Sequence, residues 1–227
     1  MKTSSESAAE RIASVLRRRI TEGDLSPGAQ LSEERLVAGL GVSRNTLREA
    51  FRLLAHDGLL VHRRHRGVFV PELDEDDLAD LYRLRRTVEC DVVRSLTGLD
   101  AERLRPLCDS VEAAETAASK GDWKEVSTAN LRFHESLVSL AGSRRLDDIF
   151  RRLLAELRLG FHVVPSLRRF HERYIDRNRA LLDLLEDGDV NRAAHELERY
   201  LRDSEERLLR AHRLAAQCLP HNPRRPS

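Results

Sequence analysis

The sequence predicts a mainly α-helical chain in two parts. A small N-terminal domain of three helices and two strands is followed by an antiparallel all-α bundle. Three observations carry this reading. Apolar residues recur at helical spacing along most of the chain. Strand-like runs are confined to residues 59–61 and 68–70. The charge also changes sign between the parts: residues 1–70 hold 12 Lys+Arg and 8 Asp+Glu, while the remainder holds 27 and 30. The boundaries are expected at 1–71, 72–219 and a polar, proline-rich tail at 220–227, read as flexible.

The first helix carries Ile12, Val15, Leu16 and Ile20 on one face. Gly23 and the pair Pro27-Gly28 break it. Ser32 is placed to cap a second, short helix, and Glu33 and Glu34 follow in a first turn that favours negative charge. Leu36, Val37 and Leu40 supply its inward stripe. Gly41 permits a sharp turn, and Ser43 caps a third helix whose Leu47, Phe51 and Leu54 face one way. Asp57-Gly58 ends it. Leu59-Leu60-Val61 and Val68-Phe69-Val70 read as two strands around a loop containing Gly67, with Pro71 closing the second.

The remainder reads as six helices near 75–97, 100–119, 122–141, 144–163, 166–187 and 189–216, divided at Gly98, Lys120-Gly121, Gly142-Ser143, Pro165 and Gly188-Asp189. No apolar run approaches the roughly 18 residues of a membrane span. The first residues, Met1 to Ala9, lack the apolar stretch of a signal peptide. Cys90, Cys108 and Cys218 are odd in number and widely spaced. A disulfide scaffold is therefore not expected, and a reducing cytoplasm is the expected compartment.

Two short helices joined by a glycine turn form a helix-turn-helix pattern. With Leu47, Phe51 and Leu54 inward, Arg44, Asn45, Arg48 and Arg52 fall on or near the outward face. Arginine forks match guanine edges or phosphates, and short polar groups at a helix start reach the backbone. The loop His62-Arg63-Arg64-His65-Arg66-Gly67 places a cationic hairpin tip beside that helix, as a DNA-tracking wing requires. A solvated charged face would explain any one of these features. Their coincidence in order and spacing points to double-stranded DNA.

Residues 31–67 resemble the winged helix of GntR-superfamily transcription regulators, through the run Ser32-Glu33-Glu34-Arg35-Leu36 and the core Val42 to Ala50. The all-helical remainder resembles the effector domain of the FadR-like branch, through Arg85 and Glu89, Phe133-His134, and residues 179–189. The resemblance implies that Arg35, Arg44 and Arg48 reach bases or adjacent phosphates. It implies that Ser43, Asn45 and Thr46 hold the DNA backbone, and that His65, Arg66 and Gly67, beside Arg64, form the wing tip.

Many FadR-like effector domains hold a divalent metal through an Asp and three His. Carried onto this chain, those positions are Asn130, His134, Asn178 and Tyr200. Only His134 keeps its ligand type, and neutral amides and a phenol are poor ligands for Zn, Ni or Mn. Neither a metal nor any other cofactor is therefore expected. Asn130, His134, Asn178 and Tyr200 remain as polar lining for a ligand. Arg85 is either the cation for a carboxylate or phosphate effector or simply the i,i+4 partner of Glu89. Tyr200 shares a stripe with Leu197, Leu201 and Ser204 and is expected to face inward. Trp123 is read as packing, and Tyr174 is too isolated to assign.

No catalytic motif is present, so an enzyme is not expected. The expected function is a homodimeric, sequence-specific regulator that binds an inverted-repeat operator and responds to a small anionic metabolite. The alternatives are a constitutive DNA-binding dimer and, with weaker support, a metal-dependent enzyme in the bundle.

Overall fold

The computed structural model describes residues 7–218. The segment 220–227 read as a tail lies outside the described residues, as does the side chain of Cys218. By compactness the chain divides into two units. One holds residues up to Leu73 together with Arg151–His162, and the other holds Asp74–Phe150 and the chain from Val163 on.

In the first unit α1 spans Ala8–Glu22, and its entry is a capping box. The Ser7 hydroxyl accepts from the Glu10 N–H, and the Glu10 carboxylate accepts from the Ser7 N–H. Helices α2 (Glu33–Leu40) and α3 (Arg44–His56) begin at Ser32 and Ser43, whose hydroxyls accept from Arg35 and Thr46 N–H. Between them Gly41 adopts φ +65°, a left-handed turn that glycine enters without steric cost. Leu47, Ala50, Phe51 and Leu54 of α3 are buried against Leu16 and Ile20 of α1, with Leu36, Val37 and Leu40 half-buried at the edge. Leu159, from the second half of α7, joins this core.

The sheet differs from expectation in two ways. A two-residue strand β1 (Gln30–Leu31), unforeseen, joins β2 (Val61–Arg63) and β3 (Gly67–Phe69) in the antiparallel order β1-β3-β2. Strand β2 also begins later than the apolar run Leu59-Leu60-Val61 suggests. The Leu59 N–H is taken by the Leu54 carbonyl at 2.9 Å as α3 unwinds, and Leu59 and Leu60 turn into the core.

The second unit contains α4 (Glu75–Ser95), α5 (Ala101–Ser119), α6 (Trp123–Ser139), the first half of α7 (Arg144–Gly160), α8 (Leu167–Glu186) and α9 (Val190–Cys218). A single 3-10 turn follows α7 at Phe161–Val163. Helix α4 opens with a second capping box, between Asp74 and Asp77. It packs along α9 and α6, α5 along α6 and α8, and α8 along α9. α5 continues through Pro106, where one backbone donor is missing, and Ser110 donates back to the Pro106 carbonyl at 2.8 Å.

Candidate functional site

The outer surface of the first unit gathers the residues expected to meet DNA. Arg44, Asn45 and Arg48 are exposed on the first turns of α3, opposite its buried stripe. Arg48 does not project freely. Its Nε donates to the Glu33 carboxylate at 3.2 Å, tying α3 to the start of α2. Arg52, one turn on, pairs with Glu49. The Ser43 hydroxyl lies 2.8 Å from Thr46 Oγ1 as well as capping α3, so both hydroxyls already serve the helix start. Arg35 is exposed and lines a cleft of about 520 Å³ with Gln30, Leu31, Ser32, Glu33, Gly67 and Val68.

Arg64, His65, Arg66 and Gly67 are exposed at the hairpin tip. The tip is closed by a bond from the Arg66 N–H to the Arg63 carbonyl at 2.9 Å. His65 takes φ +58° and Gly67 φ +101°. Arg63 is turned away and stacks over the Phe69 ring at 4.8 Å.

In the second unit a buried polar network links α4, α6 and α9. Arg85 and Glu89, one turn apart on α4, face inward and are 2% and 0% exposed. Arg85 Nε donates to Glu89 Oε1 at 2.7 Å. The other carboxylate oxygen, Oε2, lies 2.6 Å from His134 Nδ1, and His134 Nε2 lies 3.2 Å from the Tyr200 hydroxyl. Asn130, one turn before His134 on α6, donates from Nδ2 to the same hydroxyl at 2.7 Å. Nearby, the Tyr82 hydroxyl lies 2.7 Å from Ser204 Oγ, and the Tyr174 ring rests on that of Tyr200 with centroids 4.7 Å apart.

The charges in this network follow from burial and partners. Burial alone would raise the Glu89 carboxyl. The Arg85 guanidinium and His134 outweigh it and hold Glu89 below the ordinary carboxylate range. Burial lowers His134, with Arg85 adding to the effect against the pull of Glu89, so the imidazole is neutral. An ionised carboxylate only accepts, so Nδ1 carries the His134 proton and Nε2 is the acceptor. Tyr200 then donates to Nε2 and accepts from Asn130. Burial raises the Tyr200 phenol well above its usual value, so it keeps that proton.

This arrangement does not fit the metal centre that the family resemblance implies. The ring nitrogen of His134 that a cation would use is occupied by the Tyr200 O–H. Asn130 turns N–H groups toward the site, and Tyr200 is no phenolate. No cluster of three His, Cys, Asp or Glu side chains suited to a metal gathers among the described residues.

Of the five residues expected to line a ligand site, Arg85, Asn130, His134 and Tyr200 thus share one network, joined through Glu89. Asn178, on α8, is 2% exposed, but no bond ties it to them. Among these five residues two polar atoms are buried without a protein partner: Arg85 Nη2, a donor, and Asn178 Oδ1, an acceptor. The sequence signalled Glu89 only as a helix-surface partner of Arg85. It gives no sign of Tyr82, places Ser204 only on the inward stripe of Tyr200 and leaves Tyr174 unassigned, since each acquires its role only through a residue from another part of the chain.

Comparison with known proteins agrees with both halves. Residues 8–70 match the model for bacterial regulatory proteins of the gntR family, and residues 80–203 match the FCD domain. A regulator described as a GntR transcriptional regulator from Rhodococcus sp. RHA1 has a similar solved structure. It is 40% identical, with a TM-score of 0.83 over 89% of this chain and 98% of that one. An uncharacterized HTH-type transcriptional regulator of Streptomyces ambofaciens is 33% identical over 87% of this chain and 84% of its own length. The gluconate operon transcriptional repressor of Bacillus subtilis (strain 168) is 30% identical over 78% of this chain and 73% of its own. No helix among the described residues is long and apolar enough to cross a membrane. The chain belongs to the GntR family of transcription regulators, in the FadR-like branch that joins an N-terminal helix-turn-helix domain to a helical FCD domain.

Proposed function

We propose that the protein is a cytoplasmic homodimer that binds an inverted-repeat operator and releases or grips it according to a small anionic metabolite held in the helical domain, without a metal. Arg44 and Arg48 read bases, and Arg35, Ser43, Asn45 and Thr46 hold the adjacent backbone. Arg64, His65, Arg66 and Gly67 follow the groove or its phosphates. Arg48 exchanges its bond to Glu33 for DNA, so Glu33 presents the guanidinium in advance.

One observation carries the effector half of the proposal. Arg85 spends Nε on Glu89 yet keeps Nη2 buried and unmatched, while Asn178 keeps an unmatched acceptor. Buried polar groups left unpaired are costly, and a ligand that supplies their partners relieves that cost. The partners required are an anionic acceptor for Arg85 and a hydroxyl or amide donor for Asn178. A small hydroxylated carboxylate or phosphate has both. Relatedness to a repressor of a gluconate operon is in keeping with that chemistry. Asn130, His134 and Tyr200 form the wall of the site. Binding acts by population shift, through unequal affinity for two arrangements of the dimer.

The test is a titration. A fluorescent duplex enriched by the wild-type chain from a randomised pool is bound to full-length protein in EDTA. A panel of hydroxycarboxylates and sugar phosphates is then added, with uncharged sugars as controls. Release or tightening by an anionic member supports the proposal. Response only to uncharged members overturns the anionic effector, and response to none favours the constitutive DNA-binding dimer.

A further inference from the structure

We infer that Gln30 is a positioning residue for DNA binding, holding the wing tip in the conformation that meets the duplex. The side chain of Gln30 reaches from β1 across to the hairpin, where its Nε2 donates to the Arg66 backbone carbonyl at 2.7 Å. Gln30 sits opposite Phe69 in the β1–β3 register, so its backbone is anchored in the sheet while its amide grips the loop.

The loop needs such a grip. His65, a non-glycine residue, is held at φ +58°, a conformation that disfavours side-chain-bearing residues. Gly67 at φ +101° completes the turn. A Cβ at Gly67 would lie 3.1 Å from Gln30 Nε2, so a side chain there would press on the Gln30 amide as well as strain φ. The bond falls between Arg66, which carries a wing cation, and the tip's return into β3. Without it the tip is tied by the Arg66 N–H to Arg63 carbonyl bond and, at its base, by the pairing of Arg63 with Gly67. A tip free before binding must be ordered during binding, at an entropic cost that offsets what one phosphate contact returns, so the cation is left out of the complex.

This inference rests on the proposed wing contacts, and the experiment separates the two. Gln30→Met keeps the volume of the side chain and loses the donor. Arg66→Ala loses the wing cation and keeps the carbonyl that Gln30 grips. Full-length wild type, both single variants and the double variant are titrated with the pool-selected duplex at several salt concentrations.

The expected result is that Gln30→Met melts like wild type yet binds about five- to thirty-fold more weakly, with a salt slope shallower by about one. In the double variant the Arg66→Ala effect should largely vanish, because an unpinned tip no longer presents that cation. If Arg66→Ala alone changes neither affinity nor slope, the wing reading fails and this inference with it. If Arg66→Ala weakens binding but Gln30→Met does not, or the two effects simply add, the wing reading stands and Gln30 does not position it. A Gln30→Met chain that melts lower but shows no coupling to Arg66 would also overturn the inference.

Discussion

The Tyr200 hydroxyl lies 3.2 Å from Nε2 of His134, the one ring nitrogen not engaged by Glu89. Helices α6 and α9 are joined at that point by a proton where a FadR-like metal centre would use a cation. The consequence is a polar chain across the bundle interior: a carboxylate orients the imidazole, the imidazole accepts from the phenol, and Asn130 donates to the phenol.

The first prediction concerns metal. A chelator should leave the melting temperature unchanged, because no metal-binding free energy is linked to the native state. The triple change Asn130→Asp, Asn178→His, Tyr200→His should reverse this. It frees His134 Nε2, while Glu89 remains as the carboxylate that orients the ring. Elemental analysis of both proteins checks it. About one tightly held metal per wild-type chain would contradict the account.

Glu89 is the centre of the network, so Glu89→Ala should be the most damaging single truncation in the bundle. It leaves the Arg85 guanidinium buried without a counter-charge and removes the acceptor that fixes the His134 tautomer. Breaking one side of a buried pair typically costs about 3–5 kcal/mol. Chemical denaturation measures the loss. Asp80→Ala, which removes an exposed partner of Arg83, should cost under about 1 kcal/mol.

Acid should destabilise the helical half through the same groups. His134 is lowered in the folded chain, so below its unfolded value of about 6.5 the unfolded state binds the additional proton. Glu89 is lowered as well, so its contribution is present above the ordinary carboxylate value and is lost as pH falls through its folded value. Stability should therefore decline from about pH 6.5 downward and more steeply once carboxylates titrate. His134→Gln should flatten the upper part of that decline, as melting temperatures across pH would show.

For the DNA-facing surface, Arg44→Ala and Arg48→Ala should lower discrimination between the selected duplex and a scrambled one. A bidentate base contact is worth about 1–3 kcal/mol of discrimination. Arg66→Ala should weaken both duplexes alike and reduce the salt slope. Equal losses on both duplexes for the α3 variants would remove them from base reading.

What could be read from sequence was local. Ser32 and Ser43 announce their helices because a cap and the N–H it satisfies lie three residues apart. Arg85 and Glu89 announce a pair because one helical turn separates them. The outward arginines of α3 followed from the position of Leu47, Phe51 and Leu54. Strand β1 was illegible because Gln30 and Leu31 are too few to show a period and acquire strand form only by pairing with β3. Leu59 and Leu60 look like strand residues because they are apolar, but they are apolar to fill the core at the end of α3. Tyr174 carries no local signal at all, since its partner Tyr200 stands on the next helix.

The most direct test of a metal-free anion site coupled to DNA is the effector response of Arg85→Lys beside wild type. Lysine preserves the charge opposite Glu89 and removes the second arm of the fork. With the pool-selected duplex in EDTA, wild type should respond to a small hydroxylated carboxylate or phosphate. Arg85→Lys should bind DNA equally well and need at least about tenfold more of that anion, the loss of one charged hydrogen bond. A variant that responds at the wild-type concentration, or a wild type that responds only when a divalent metal is supplied, would contradict the account.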